Sequence, residues 1–261
     1  MLLQHLRQSF RNPDHWVYGA WIDFVSRYRR MSLGILWAIV PPIVYVWGIG
    51  GFLRVLQPGL DKTLFLAHVA VAFVLFRLIT TSLTDAVSLF GQYRAYIFDG
   101  STRLTDFVLR NLLNALMYFA VAIPVMLAAM IPSPHIDWMG VPMAIAGFLV
   151  VLFNLLMYAV VLAFAGARIR DLSQVMGSLT MALFLVTPIV WLGDQAPAGT
   201  LHGALMRANP LFHFLEIVKA PLFGRGIELA TFVYVGVATV LGVIGAFVCY
   251  RAFARRLPVW L

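Results

Sequence analysis

Two charges lie inside an otherwise apolar stretch. Arg77 falls near the middle of residues 63–89, and Asp85 follows eight residues later. An arginine at mid-bilayer costs about 2.5 to 3.5 kcal/mol on insertion scales, so it must face protein, water or a counter-ion. Eight residues put Asp85 on nearly the same helical face but about 12 Å along the axis, so the two do not pair within one helix. Two readings stay open for Arg77: a clamp to another helix or a snorkelling side chain, and a residue lining a hydrated path.

Little other chemistry is spelled out. The sequence has no G-x-x-x-x-G-K-[ST] loop, no H-E-x-x-H and no cysteine pair, and its single Cys249 can close no intrachain disulfide. His5, His15, His68, His135, His202 and His213 show no metal-ligand spacing and read as interfacial or loop residues. No catalytic residue and no metal site is assigned. A Glu216–Lys219 pair, one helical turn apart, is expected to neutralise itself.

The elements that carry these residues follow from composition. In 261 residues, 62% are hydrophobic and mean hydropathy is +0.89, more apolar surface than one soluble core of this size buries. Lipid must be the solvent. The net charge of +8 invites a nucleic-acid reading, which fails because the basic residues flank apolar runs instead of forming a basic domain. An all-α integral membrane fold is expected, a single transmembrane domain over 1–261 with spans at 31–53, 63–89, 106–131, 138–165, 172–193 and 229–250. Residues 1–30 read as a tail and an interface helix, with five arginines and no continuous apolar core of a signal peptide.

Within that leader, Asn12-Pro13-Asp14 reads as a helix start. Val17, Trp21, Phe24 and Tyr28 recur on one stripe opposite Gly19, Asp23, Ser26 and Arg30, which suits a helix lying in the membrane plane. Pro41-Pro42 should kink the first span, and a polar turn with Arg54, Gln57, Pro58, Asp61 and Lys62 follows it. After the second span, Tyr93, Tyr96, Ile97 and Phe98 are interleaved with Arg94 and Arg103. Exposed loops rarely spend so many large apolar residues, so either the membrane surface or a cytosolic partner covers them. Asp106 and Arg110 are spaced as an i, i+4 pair. Residues 194–228 contain a segment, 211–223, that is too short and too polar to cross, so two short interfacial or re-entrant helices are expected there. With both termini inside, the inner segments hold twelve Lys and Arg and the outer segments five, which supports six spans and a cytoplasmic N-terminus.

Several short motifs carry a family resemblance. Arg27, Arg29 and Arg30 precede Leu33-Gly34, Leu36-Trp37 and Pro41. Arg170-Asp171 lies in the turn after the fourth span, Thr187-Pro188-Ile189-Val190-Trp191 ends the fifth, and Asn209-Pro210-Leu211 follows. In this order they resemble the ABC-2 type permeases that export O-antigen, capsule and teichoic-acid polysaccharides, and the likeness covers essentially the whole chain.

The resemblance implies a bacterial inner-membrane permease that pairs with a second copy of itself and with two copies of a cytoplasmic ABC ATPase. That ATPase would bind ATP and Mg; no cofactor is expected in this chain. Tyr93, Arg94, Tyr96, Ile97 and Phe98 with Arg27, Arg29 and Arg30 are then the expected coupling residues. A lipid-linked polysaccharide would pass at the dimer interface, with Tyr45, Phe76, Arg77, Trp191 and Phe212 as path candidates and Asn209, Pro210, Glu216 and Lys219 shaping the external region. Aromatic rings suit such a path because sugar C–H faces stack on them. An ABC-2 permease for a drug or small lipid, and a secondary transporter, are the alternatives; an ATPase-coupled permease is not itself an enzyme.

Overall fold

A computed structural model describes residues 1–56, 59, 61–100, 102–197 and 199–261. Gln57 and Pro58, read above as part of the first external turn, lie outside the described residues. Helices make up the fold, and no strand occurs among the described residues.

Two short helices come first, α1 (Leu2–Arg11) and α2 (Asp14–Tyr28). A broken helical run then covers Gly34–Val55. It starts as a 3-10 turn at Gly34–Ala38, continues through α3 (Val40–Ile43), widens into a π turn at Val44–Ile49 and ends in α4 (Gly50–Leu56). Pro41 and Pro42 supply no N–H to the i−4 ladder, and the change of helical pitch around them answers the kink expected there.

Next come α5 (Lys62–Gln92), α6 (Arg94–Asp99), α7 (Leu104–Met130) and α8 (Val141–Arg168), the last preceded by a 3-10 turn at Trp138–Gly140. The chain closes with α9 (Leu172–Val186), α10 (Leu201–Ala208), α11 (Pro210–Leu222), α12 (Leu229–Phe253) and α13 (Leu257–Trp260). Five helical stretches among the described residues are long and apolar enough to cross a membrane: Gly34–Val55, Lys62–Gln92, Leu104–Met130, Trp138–Arg168 and Leu229–Phe253. The expected fifth span, 172–193, is not one continuous helix. Thr187, extended with φ −81° and ψ 134° before Pro188, stops α9 after 15 residues, because a residue preceding proline is pushed out of the α region.

α5 is the axis of the bundle. Its consecutive run Ala67 to Phe76 is buried on every side, against α7, α8 and α9. Close backbone crossings set the other contacts. A Cβ at Gly166 of α8 would collide with the Val87 carbonyl of α5, and one at Gly140 with the Pro221 carbonyl at the end of α11. Large apolar side chains of the first helical run, α9 and α12 stay exposed, among them Trp47, Phe52, Met181, Leu185, Tyr234 and Val248.

Three expectations change. Residues 1–11 are an ordered helix and no loose tail: Leu2, Leu6 and Ser9 are buried, the His5 ring is 2.6 Å from the Tyr250 hydroxyl of α12, and Ser9 Oγ is 2.7 Å from Thr105 Oγ1 of α7. The spacing of two, six and nine carried that signal at i, i+4, i+7. On α2, Phe24 leaves the expected stripe and packs on protein with Gly19, Ala20 and Asp23, while Val17 and Trp21 stay exposed with Tyr18 and Ile22, as a membrane-facing stripe would be. The face that carries Asp23 turns toward α7, where Arg110 is its partner. Finally, His68 and His213 are core residues, 2% and 1% exposed, where an interfacial or loop setting was expected.

Candidate functional site

The arginine-rich end of the bundle, called the basic end below, holds a latch built on Asp23 of α2. Arg110 of α7 donates from Nε to Asp23 Oδ2 and from Nη2 to Oδ1, both at 2.6 Å. The Tyr93 hydroxyl donates to Oδ2 at 2.7 Å. The Arg110 guanidinium also lies 4.6 Å over the Tyr93 ring, which stacks on Phe107 at 4.9 Å. Gly19 makes the room: a Cβ there would sit 2.7 Å from the Arg110 guanidinium. Burial works to raise the Asp23 carboxyl pKa, but the hydrogen bonds from Arg110 and Tyr93 outweigh it and hold the group below its ordinary value. Burial and the bond to Asp23 push the Tyr93 phenol above its ordinary value.

Arg110 therefore does not pair with Asp106, as the spacing had suggested. Asp106 is buried at the third position of α7, where it turns back to the Arg103 backbone N–H at 3.4 Å and lies 3.9 Å from the Arg103 guanidinium. A first-turn acid finds unpaired N–H groups closer than a side chain one turn on.

Tyr93 is also the residue from which α6 starts, so the latch fixes the origin of that short helix. Ile97 is buried and pins α6 to the core, whereas Tyr96 and Phe98 are 57% and 51% exposed, and Arg94 lies 5.2 Å over the Phe98 ring. Gly100, at φ +70°, ends α6 in the left-handed conformation that favours glycine. Of the remaining basic candidates, Arg27 sits 5.4 Å over the Tyr118 ring of α7, and Arg29 and Arg30 are exposed just past α2. The structure thus groups Tyr93, Arg94, Tyr96 and Phe98 on one rigid support and turns Ile97 inward.

At the opposite end, two of the sequence motifs meet. The Asn209 side chain donates from Nδ2 to Thr187 Oγ1 at 2.7 Å and accepts from the Leu211 N–H, capping α11 with Pro210 in its first turn. His68 Nε2 lies 3.1 Å and 3.0 Å from the carbonyls of Pro188 and Trp191. Carbonyls only accept, so Nε2 carries the proton and ties the non-helical residues after α9 to α5. His213 is held likewise, with Nε2 2.8 Å from the Arg207 carbonyl, Nδ1 3.0 Å from the Thr231 hydroxyl and its ring stacked on Tyr234 at 4.1 Å. Lys219, 3% exposed, meets Glu216 at 3.0 Å, so the expected pair forms. Sequence reading missed both histidine ties, since a lone histidine in an apolar run does not reveal which carbonyl it will find.

The path candidates fall into separate groups. Tyr45 stacks on Phe73 at 3.9 Å, and Phe184 of α9 joins it edge-on to Phe76. Trp191 and Phe212 belong instead to a cluster with Ala196 and Met206 at the opposite end. Phe76 and Phe212 are buried. Arg77 is half-buried beside a cavity of about 10 Å³ lined by Pro42, Thr81, Tyr118 and Phe119, and it forms no ion pair among the described residues.

No cluster of His, Cys, Asp and Glu able to hold a metal occurs among the described residues. Comparison with protein-family models and with characterised proteins gives no match.

Proposed function

We propose that the chain is the membrane-spanning permease subunit of an ATP-driven exporter, working as a homodimer with two copies of a cytoplasmic P-loop ATPase and moving a lipid-linked polysaccharide of the O-antigen or capsule type. The observation that carries this reading is α6: a one-and-a-half-turn helix with two exposed aromatics, rooted through Tyr93 on the Asp23–Arg110 pair. Exposed rings on a rigid mount suit a contact that must transmit force, because a push on Tyr96 or Phe98 reaches α2 and α7 without being absorbed in a loop.

In this reading the basic end faces the cytoplasm, where twelve Lys and Arg collect, and both termini lie there. The bacterial cytoplasmic membrane is the setting. Six crossings follow if α9 and the non-helical residues 187–192 together complete the fifth. Fifteen helical residues rise about 22 Å, short of the roughly 30 Å core, so Thr187 and the Asn209 bound to it lie below the far membrane surface. The α10–α11 segment then dips into the bilayer, with the Leu211 N–H capped by Asn209 and the carbonyls of Pro188 and Trp191 ahead of it held by His68, as non-helical backbone at that depth requires. The exposed faces of the first helical run and α9 supply the surface for a second copy, with Tyr45 and Trp191 at its edge.

The test is purification of the tagged chain in mild detergent after co-expression with its neighbouring genes. A two-plus-two assembly that hydrolyses ATP is expected, and alanine at both Tyr96 and Phe98 should remove the permease's stimulation of hydrolysis while the thermal midpoint of the permease stays put. A lone oligomer without ATPase would overturn the proposal, and stimulation unchanged by the double substitution would remove α6 from it.

A further inference from the structure

A second feature of the basic end lies away from the latch. Between α8 and α12 a cavity of about 370 Å³ is lined by Phe164, Cys249 and Phe253, with Arg168, Arg256 and Trp260 at its mouth. The lining inside is apolar. The mouth is basic: Arg168 ends α8, Arg256 follows α12, and neither guanidinium has a carboxylate partner among the described residues. At that mouth Trp260 lies 5.1 Å from the Phe253 ring, with Arg168 5.5 Å above its face.

We propose that this slot binds an anionic phospholipid. Two helices of membrane-spanning length form its walls, so an occupant comes from the bilayer, with an acyl chain along Phe164, Cys249 and Phe253. The guanidinium groups sit where a headgroup phosphate would emerge, and each has donors to spare for its oxygens. Basic pockets between membrane helices suit anionic headgroups. A zwitterionic lipid carries its own ammonium group beside the phosphate and gains less from two unpaired arginines. Bound there, the lipid would brace the Trp260 end of α13, whose Leu257 is already buried in the core, against α8 and α12.

Native mass spectrometry of the purified chain reads the site directly. With phosphatidylglycerol or cardiolipin added, the wild type should retain one lipid per protomer, and R168Q and R256Q should each retain it about fivefold more weakly, from roughly 1 kcal/mol per basic side chain. R168K/R256K should restore most of the retention, which separates lost charge from misfolding. Cys249, the chain's single cysteine, gives a second readout within the slot: its alkylation by a maleimide should slow in nanodiscs containing phosphatidylglycerol relative to pure phosphatidylcholine, and R168Q/R256Q should lose that difference. Equal retention of phosphatidylcholine, or retention undiminished by R168Q/R256Q, would overturn the proposal. So would equal protection of Cys249 by inorganic phosphate in detergent, which would make the site one for a free anion.

Discussion

Asp23 and Arg110, 87 residues apart in the chain, face each other as a carboxylate and a guanidinium joined by two parallel 2.6 Å hydrogen bonds. This fork geometry fixes the rotation of α2 on α7 as well as its distance, because both oxygens are held. With Tyr93 as the third member, α2, α7 and the start of α6 are tied to one another.

A double-mutant cycle on D23N and R110Q should show a coupling of about 2 kcal/mol in thermal or denaturant unfolding, between the range for exposed pairs and that for buried ones. The side chains are only partly exposed, 18% for Arg110 and 29% for Asp23. Additivity of the two single changes would mean that the pair carries no net interaction. In the proposed assembly with an ATPase, D23N should weaken ATPase stimulation, because Asp23 holds Tyr93, from which α6 starts.

Acid should expose the same pair. The folded Asp23 pKa lies below the ordinary value of 3.8, so its contribution to stability is complete above that value and disappears as pH falls through the lower folded value. Melting curves of wild type and D23N from pH 7 downward should therefore stay parallel at higher pH and converge in the acid range. A gap that widened on acidification would contradict the sign of the shift.

Asn209 joins the end of α9 to the start of α11. N209A removes a buried hydrogen bond to Thr187 and the cap on Leu211 at once, and should cost roughly 2 to 3 kcal/mol. T187V removes the tie to Asn209 and the hydroxyl's bond to the Leu183 carbonyl, but that carbonyl keeps the Thr187 N–H and the Asn209 cap on Leu211 stays, so it should cost less. Equal effects in unfolding measurements would show that capping adds nothing here.

Two helix glycines make a matched comparison. Alanine at Gly166 would drive its Cβ into the Val87 backbone carbonyl and should destabilise the chain severely, because backbone cannot move aside as a side-chain tip can. Gly177 in α9 has open space around it, so G177A should be neutral or stabilising by up to about 1 kcal/mol. Thermal midpoints of the two variants decide it, and a tolerated G166A would mean that α5 and α8 can separate.

Much of the architecture was legible in one dimension. Strongly apolar runs of spanning length mark the five long helices within a few residues, since hydropathy and length are local properties. Pro41-Pro42 announced the change in helical pitch, and Pro188 in front of an apolar stretch gave the place where α9 stops, although its consequence, a fifth segment too short to cross as one helix, was not drawn from it. Tyr96 and Phe98 stood out by being apolar in a polar segment. The Glu216–Lys219 pair was readable because both partners share one helix turn. Choice among equivalent distant partners was not readable. Arg110 had an acid at i−4 and took Asp23, His68 and His213 were lone polar groups until folding brought carbonyls to them, and Phe76 and Phe212 could have faced a path or a core. Periodicity says which face of a helix is apolar, but the neighbour on that face is set by how the helices cross, and crossings such as Gly166 on Val87 depend on the whole bundle closing at once.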